Sequence, residues 1–459
     1  MSNAVDSLLL ADAKEPRRLE ATARYNQLLE KIELTEMANN LQKRMAERGL
    51  LFGERLLCPF LRPHFVGKEQ LELLRNAVRE VVGAMNVLAP RIVASPALQE
   101  RLGLTEEEKR FTAIDPGYPE FSVSSRLDSF LLGGKLRFVE YNAECPAGIG
   151  YGDILMEAFL ESRVMKAFQE DYPVRPLFCR EQLYQALLSS WKKWGGTSNP
   201  TIAVVDYEGL PTRHEWEILR RYFTERGSQC VVADPRKLEY KDGKLTSEGV
   251  KIDLIYRRLL VTEYLEHFDQ AKTVFEAYRD RAICMVNSFR SKFLHKKAIF
   301  ALITDPEMQE GMTSEQLYAV FTHVPWTRRV QEGKTTDPEG KMVDLVPWIR
   351  ANRRQLVMKP NDEYGGKGIF VGWEATEQEW EKAIETALSG WYLAQTRVEV
   401  AREHFPYYDG EKVIWGEYTV DLDPFVFGAE VEGLLTRLSA TALCNVTAGG
   451  GVTPTFVLE

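Results

Sequence analysis

The sequence predicts a mixed α/β (α+β) protein built in several lobes. Three observations carry that expectation. The chain has 459 residues, more than one typical core encloses, so two or three lobes follow. Residues 200–258 alternate short apolar strands with an amphipathic helix, the pattern of a small Rossmann-type layer. The last third sets β-prone runs around a lysine and a glycine-rich loop, an α+β pattern.

Taken in order, the segment from Pro16 to about Leu102 reads as helical. Tyr25, Leu28, Leu29, Ile32 and Leu34, and then Leu71, Leu73, Leu74, Val78, Val81 and Val82, fall near helical spacing. From Tyr118 to Asn142 the pattern turns to β, and Gly148 to Phe168 returns to helix. Within the α/β layer, Ile202–Val205, Cys230–Ala233 and Ile252–Tyr256 read as strands. Arg213–Arg226 reads as a helix ended by Gly227, and Asp242-Gly243 as a tight turn. The layer lacks GxGxxG, so no dinucleotide is expected there. A helix over Lys292–Leu302, a helix over Glu377–Leu388, a strand at Trp391–Gln395 and long C-terminal strands complete the chain. These divisions give four expected regions: 1–110, an N-terminal helical region; 111–195; 196–289, the α/β layer; and 290–459.

Composition narrows the function classes. Hydrophobic residues make up 44% and charged residues 27%, the profile of a folded protein. A net charge of −9 and a pI of about 5.5 supply no basic face for nucleic acid. Six cysteines stand far apart without a CxxC, which argues against a zinc site or a disulfide framework. The N-terminus carries no signal-peptide pattern and no stretch reaches membrane-span length, so a cytoplasmic protein without membrane contact is expected.

Two constellations carry chemistry. The first is Leu356-Val357-Met358-Lys359-Pro360-Asn361-Asp362-Glu363-Tyr364-Gly365-Gly366-Lys367-Gly368-Ile369-Phe370-Val371. Glycines let backbone N–H groups turn toward one anion, and a lysine adds a point charge. That combination holds a nucleotide phosphate without a Walker motif, and no GxxxxGK[ST] occurs in the chain. The second is a hairpin, Ser125 to Asn142, turning at Gly133-Gly134. A two-residue loop would set Phe130 opposite Arg137 and Asp128 opposite Val139. A three-residue loop sets Leu132 opposite Leu136, Phe130 opposite Phe138, Asp128 opposite Glu140 and Arg126 opposite Asn142. The second register makes one face coherent and is the one expected. Opposed carboxylates destabilise a strand pair, and a divalent cation relieves that cost. Hard oxygen ligands suit Mg²⁺, and Arg126 beside them suits a phosphoryl or tetrahedral anion.

Arg126-x-Asp128 and Glu140-x-Asn142, followed by a C-terminal lysine pair with a glycine loop, resemble the circularly permuted ATP-grasp ligases, in particular the synthetase domain of glutathionylspermidine synthase. The resemblance covers roughly residues 115–459 and implies an ATP-grasp-like fold with 196–289 as a pre-ATP-grasp layer. It implies ATP and Mg²⁺, with Asp128, Glu140 and Asn142 as metal ligands and Arg126 and Arg437 as catalytic arginines. It implies nucleotide binding by Lys297, Lys359, Gly365, Gly366, Gly368 and Gln395; Lys296 is an equal candidate for the first lysine by spacing. The expected activity is a carboxylate–amine ligase that forms an amide through an acyl phosphate, with small-molecule acid and amine partners. A non-catalytic nucleotide-binding regulator and an ATP-dependent phosphotransferase are the alternatives. The glutathionylspermidine amidase domain is expected to be missing. Asn445 to Gly451 is a further expected approach of backbone to ligand.

Overall fold

The computed structural model describes residues 16–441 and 450–459. Its centre is an antiparallel sheet in the order Gly451–Thr453, Glu430–Ser439, Val413–Phe427, Ser124–Leu132, Lys135–Asn142, with Ala401–Tyr408 also paired to Val413–Phe427. The acidic hairpin therefore joins strands that lie some three hundred residues later in sequence. A long helix, Lys68–Ala94, covers one face and buries against it Leu71, Leu74, Val78, Val81 and Val82, read from helical spacing, together with Met85 and Leu88, while Leu73 is only partly buried.

A four-stranded parallel sheet runs Cys284–Val286, Leu254–Arg257, Ile202–Val205, Cys230–Ala233. Its strands read as continuous apolar runs because helices cover both faces. Asp242 and Gly243 take left-handed φ of 50° and 71° and close the tight turn between Glu239–Lys241 and Lys244–Ser247. The expected strand Ile252–Tyr256 is instead two. Ile252 ends a strand paired with Leu245, and Leu254–Arg257 belongs to the parallel sheet. Asp253 separates them, its carboxylate accepting from Thr201 N and bound to Lys251.

A second antiparallel sheet runs Thr327–Arg329, Tyr392–Thr396, Leu356–Pro360, Phe370–Val371, backed by the helix Glu377–Ser389. The helix expected over Lys292–Leu302 is broken into Lys292–His295 and Ala298–Ile303. That expected over Gly148–Phe168 is likewise two, Ile149–Leu160 and Arg163–Asp171, with Ser162 capping the second. From Pro16 to Leu102 the chain is largely helical, as the spacing suggests, apart from a small hairpin at 51–56 and the strand His64–Val66, which pairs in parallel with Thr455–Leu458. Among the described residues no helix is long and apolar enough to cross a membrane. Of the 445–451 segment only Gly450 and Gly451 are described; a Cβ on Gly451 would meet Pro59 at 2.8 Å, so that glycine serves packing.

Candidate functional site

The hairpin holds both registers at once. Next to the turn Leu132 faces Lys135 and Phe130 faces Arg137, which corrects the expected pairings of Leu132 with Leu136 and Phe130 with Phe138. Gly133 and Gly134 adopt φ of 55° and 78°, the left-handed pair that matches a two-residue turn to strand twist. A bulge then shifts the register between Asp128 and Ser129, and beyond it Asp128 faces Glu140 and Arg126 faces Asn142, as expected. Val139 is the extra residue, and its carbonyl accepts from Lys359 Nζ at 3.2 Å. Asn287 anchors the hairpin's open end. Its Oδ1 accepts from Val123 N and Ser124 N, and its Nδ2 donates to the carbonyls of Ser124, Ala143 and Glu144.

Protein cations meet the opposed carboxylates. Lys297 Nζ lies 3.0 Å from Glu140 Oε1. Asp128 Oδ1 accepts from Arg126 Nε at 2.9 Å and Asn142 Nδ2 at 2.8 Å; Oδ2 accepts from Arg126 at 3.3 Å and Arg437 at 2.7 Å. Four donors match the acceptor capacity of a carboxylate. Burial pushes the Asp128 carboxyl up, but Arg126 and Arg437 outweigh it and hold the group well below the usual range. The like-charge pairing is thus relieved by three cationic side chains, which removes the strand-pair argument for a metal.

Sequence reasoning missed two members of this cluster. Asp421 and Asp423 project from the strand Val413–Phe427 and both bind Arg437, Asp423 at 2.9 Å. Asp423 Oδ1 also accepts from Ser129 N at 3.0 Å, bracing the bulge. Burial pushes both carboxyls up, Asp423 strongly. Asp421 Oδ1 is buried without a hydrogen-bond donor, and Asp423 Oδ2 meets Arg437 as an ion pair. The Asp-Leu-Asp alternation at period two was the available signal.

The lysines arrive from two other elements. The broken helix separates Lys296 from Lys297. Lys296 Nζ binds Asp362 and Glu108, whereas Lys297 points to Glu140 and donates to the Glu363 carbonyl at 2.6 Å. Lys297 is therefore the lysine that faces the hairpin. Lys359 donates to Gln395 Oε1 at 2.8 Å, and Gln395 Nε2 donates to Thr327 Oγ1 at 3.1 Å. Gln395 is thus the partner of Lys359 across neighbouring strands. Burial pushes Lys359 down to about 8, with Lys297 adding to the fall and Glu140 opposing it. Gly365, Gly366 and Gly368 hold left-handed φ of 74°, 77° and 72°, and this loop joins the site through Glu363. Lys367 is exposed and lies 3.4 Å from Glu363.

The donor set bears on a metal in two ways. Among the described residues no three His, Cys, Asp or Glu side chains form a metal-holding group. Mg²⁺, however, ordinarily takes one or two carboxylates and completes its shell with water and phosphate. The oxygen-only set of Asp128, Glu140 and the Asn142 amide, beside the unpartnered Asp421 Oδ1, fits that mode once Arg437 and Lys297 yield their carboxylates.

No family model matches the chain, and no curated protein matches it. Among solved structures, a glutathione synthetase-like effector from Globodera pallida in apo form is similar at TM-score 0.59 and 14% identity, over 92% of this chain and 97% of that one. A putative γ-glutamylcysteine synthetase from Methylobacillus flagellatus overlaps at TM-score 0.31, 10% identity and 83% and 85% coverage. The ATP-grasp ligase PsnB with ADP and Mg overlaps at 0.27, 14%, 57% and 89%. The last two are too distant to carry an argument. The first shows the fold: an ATP-grasp-like α/β architecture, as the sequence led one to expect.

Proposed function

We propose that the chain is an ATP- and Mg²⁺-dependent carboxylate–amine ligase. The observation that carries this reading is convergence. Lys297 and Lys359, from separate elements, meet the acidic hairpin at Glu140 and at the Val139 bulge. In chain order the hairpin precedes both lysines, the permuted order that the resemblance to glutathionylspermidine synthase implies.

Each group then has a role. Lys297, Lys359 and the amides of the glycine loop hold nucleotide phosphates. Asp128, Glu140 and Asn142 would hold Mg²⁺, which when bound neutralises charge developing on the transferring phosphoryl group. Arg126 donates to Ala147 O at 3.1 Å as well as to Asp128, which fixes its guanidinium beside the position where that charge develops. Arg437, released from Asp128, supplies a second guanidinium to the same anion. Fixed cations of this kind lower a barrier without reorganising during the step. A substrate carboxylate takes the γ-phosphoryl group, and an amine displaces phosphate to leave an amide.

The saturation of Asp128 by N–H donors favours a second reading, a nucleotide binder without turnover. Thermal unfolding with ATP alone and with ATP plus Mg²⁺, on wild type and Lys359→Ala, tests the site. A ligand that binds only the folded state raises its apparent stability. A Mg²⁺-dependent rise lost in the variant supports the phosphate site; no rise at saturating nucleotide removes both readings. ADP release with a panel of acids and amines then separates ligase from binder.

A further inference from the structure

A buried ion cluster lies directly behind Lys297. Lys292 Nζ donates to Asp362 Oδ1 at 2.6 Å and Lys296 Nζ to Asp362 Oδ2 at 2.8 Å. Thr262 Oγ1 accepts from Lys292 at 2.9 Å and donates to Asp362 at 3.2 Å. On the far side Lys292 lies 3.2 Å from Glu144, and Lys296 lies 2.9 Å from Glu108. The two lysine side chains are 0% and 4% exposed and that of Asp362 19%. Desolvation makes a buried ion cluster a weak source of stability, so its place in the fold points to geometry instead.

The neighbours of Asp362 show which geometry. Asn361 O accepts from Lys297 N at 3.0 Å, and Asn361 Oδ1 accepts from Ala298 N at 2.9 Å. Glu363 O accepts from Lys297 Nζ. Residues 361–363 thus grip the break between the two short helices, sending Lys296 to Asp362 and Lys297, also buried, to Glu140. The same three residues begin the glycine loop, whose left-handed glycines leave its backbone otherwise easy to turn.

We propose that Asp362 is a positioning residue for nucleotide phosphate: clamped between Lys292 and Lys296, it fixes the start of the glycine loop against Lys297, so that the loop amides and the Lys297 ammonium address one phosphate. This rests on the nucleotide reading above. Asp362 itself touches no phosphate.

Asp362→Ala in the full chain is the test. Each lysine keeps a second carboxylate, Glu144 or Glu108, so the variant is expected to fold; Lys296→Met releases the other half of the clamp and guards against a folding failure. Two readouts are compared. Hydrogen exchange of the 363–369 amides without nucleotide should speed in both variants while the central sheet stays protected. ADP affinity should fall by roughly tenfold, the equivalent of about 1.4 kcal/mol, while adenosine affinity stays unchanged, because a positioning defect acts on phosphates alone. Equal losses for ADP and adenosine, or unchanged loop exchange, overturn the clamp. Wild-type protein that binds no ADP overturns the nucleotide reading and the clamp's role with it, even where loop exchange responds.

Discussion

Raising pH through about 8 should strip the proton from Lys359. The cause is burial, which pushes its ammonium down from 10.5 to about 8, aided by Lys297 and opposed by Glu140. The sign follows from proton counting. Between about 8 and 10.5 the unfolded chain binds the proton and the folded chain does not, so this group's contribution to stability rises with pH across that window. A shift of this size corresponds to at most about 3.5 kcal/mol, and to less because Lys359 is only part-buried. Below pH 8 the cost is present in full: the site holds an ammonium ready for phosphate at the expense of stability. A chain of several lobes need not unfold in one step, so the proton is best followed directly. Competitive acylation across pH 6–11 (a span of roughly five units), read by mass spectrometry, reports the titration of each lysine. Lys359 should titrate near 8, Glu140→Gln should move its midpoint down and Lys297→Met up. A midpoint at or above about 10, or no response to either substitution, would refute the argument that the site is desolvated and electrostatically coupled.

Two further substitutions test the site and its frame. Asp128→Asn should lower ADP formation by roughly 100-fold or more while leaving the fold intact, because Asp421 and Asp423 still bind Arg437; unchanged ADP formation contradicts the role given to Asp128. Gly433→Ala places a Cβ 1.8 Å from Cys179 Sγ and should destabilise by about 1–3 kcal/mol. Adding Cys179→Ala removes the clash, since Cys179 Cβ sits 3.5 Å away, so the pair should melt above the Gly433 single variant; simple additivity in thermal melts would show that the contact is not the cause.

How much of this was legible in the chain depended on the range of the interaction. Local pattern determined the α/β class, the Lys68–Ala94 stripe, the Asp242-Gly243 turn and the glycine loop, because periodicity and positive-φ residues act over a few positions. The pairings of Asp128 with Glu140 and of Arg126 with Asn142 were also legible, although for an incomplete reason: face coherence selected one register, and twist at Gly133-Gly134 imposed another near the turn. Only the folded chain could reconcile them, through a bulge braced by Asp423 from a strand nearly three hundred residues away. The same holds for the choice between Lys296 and Lys297. Both satisfy the spacing, and the helix break held by Asn361 turns one to Asp362 and the other to Glu140. Residue identity along the chain supplied the side chains that phosphate and carboxylate chemistry needs. Tertiary structure decided which of them meet, because contacts between distant strands depend on register and burial, and neither is encoded within one segment.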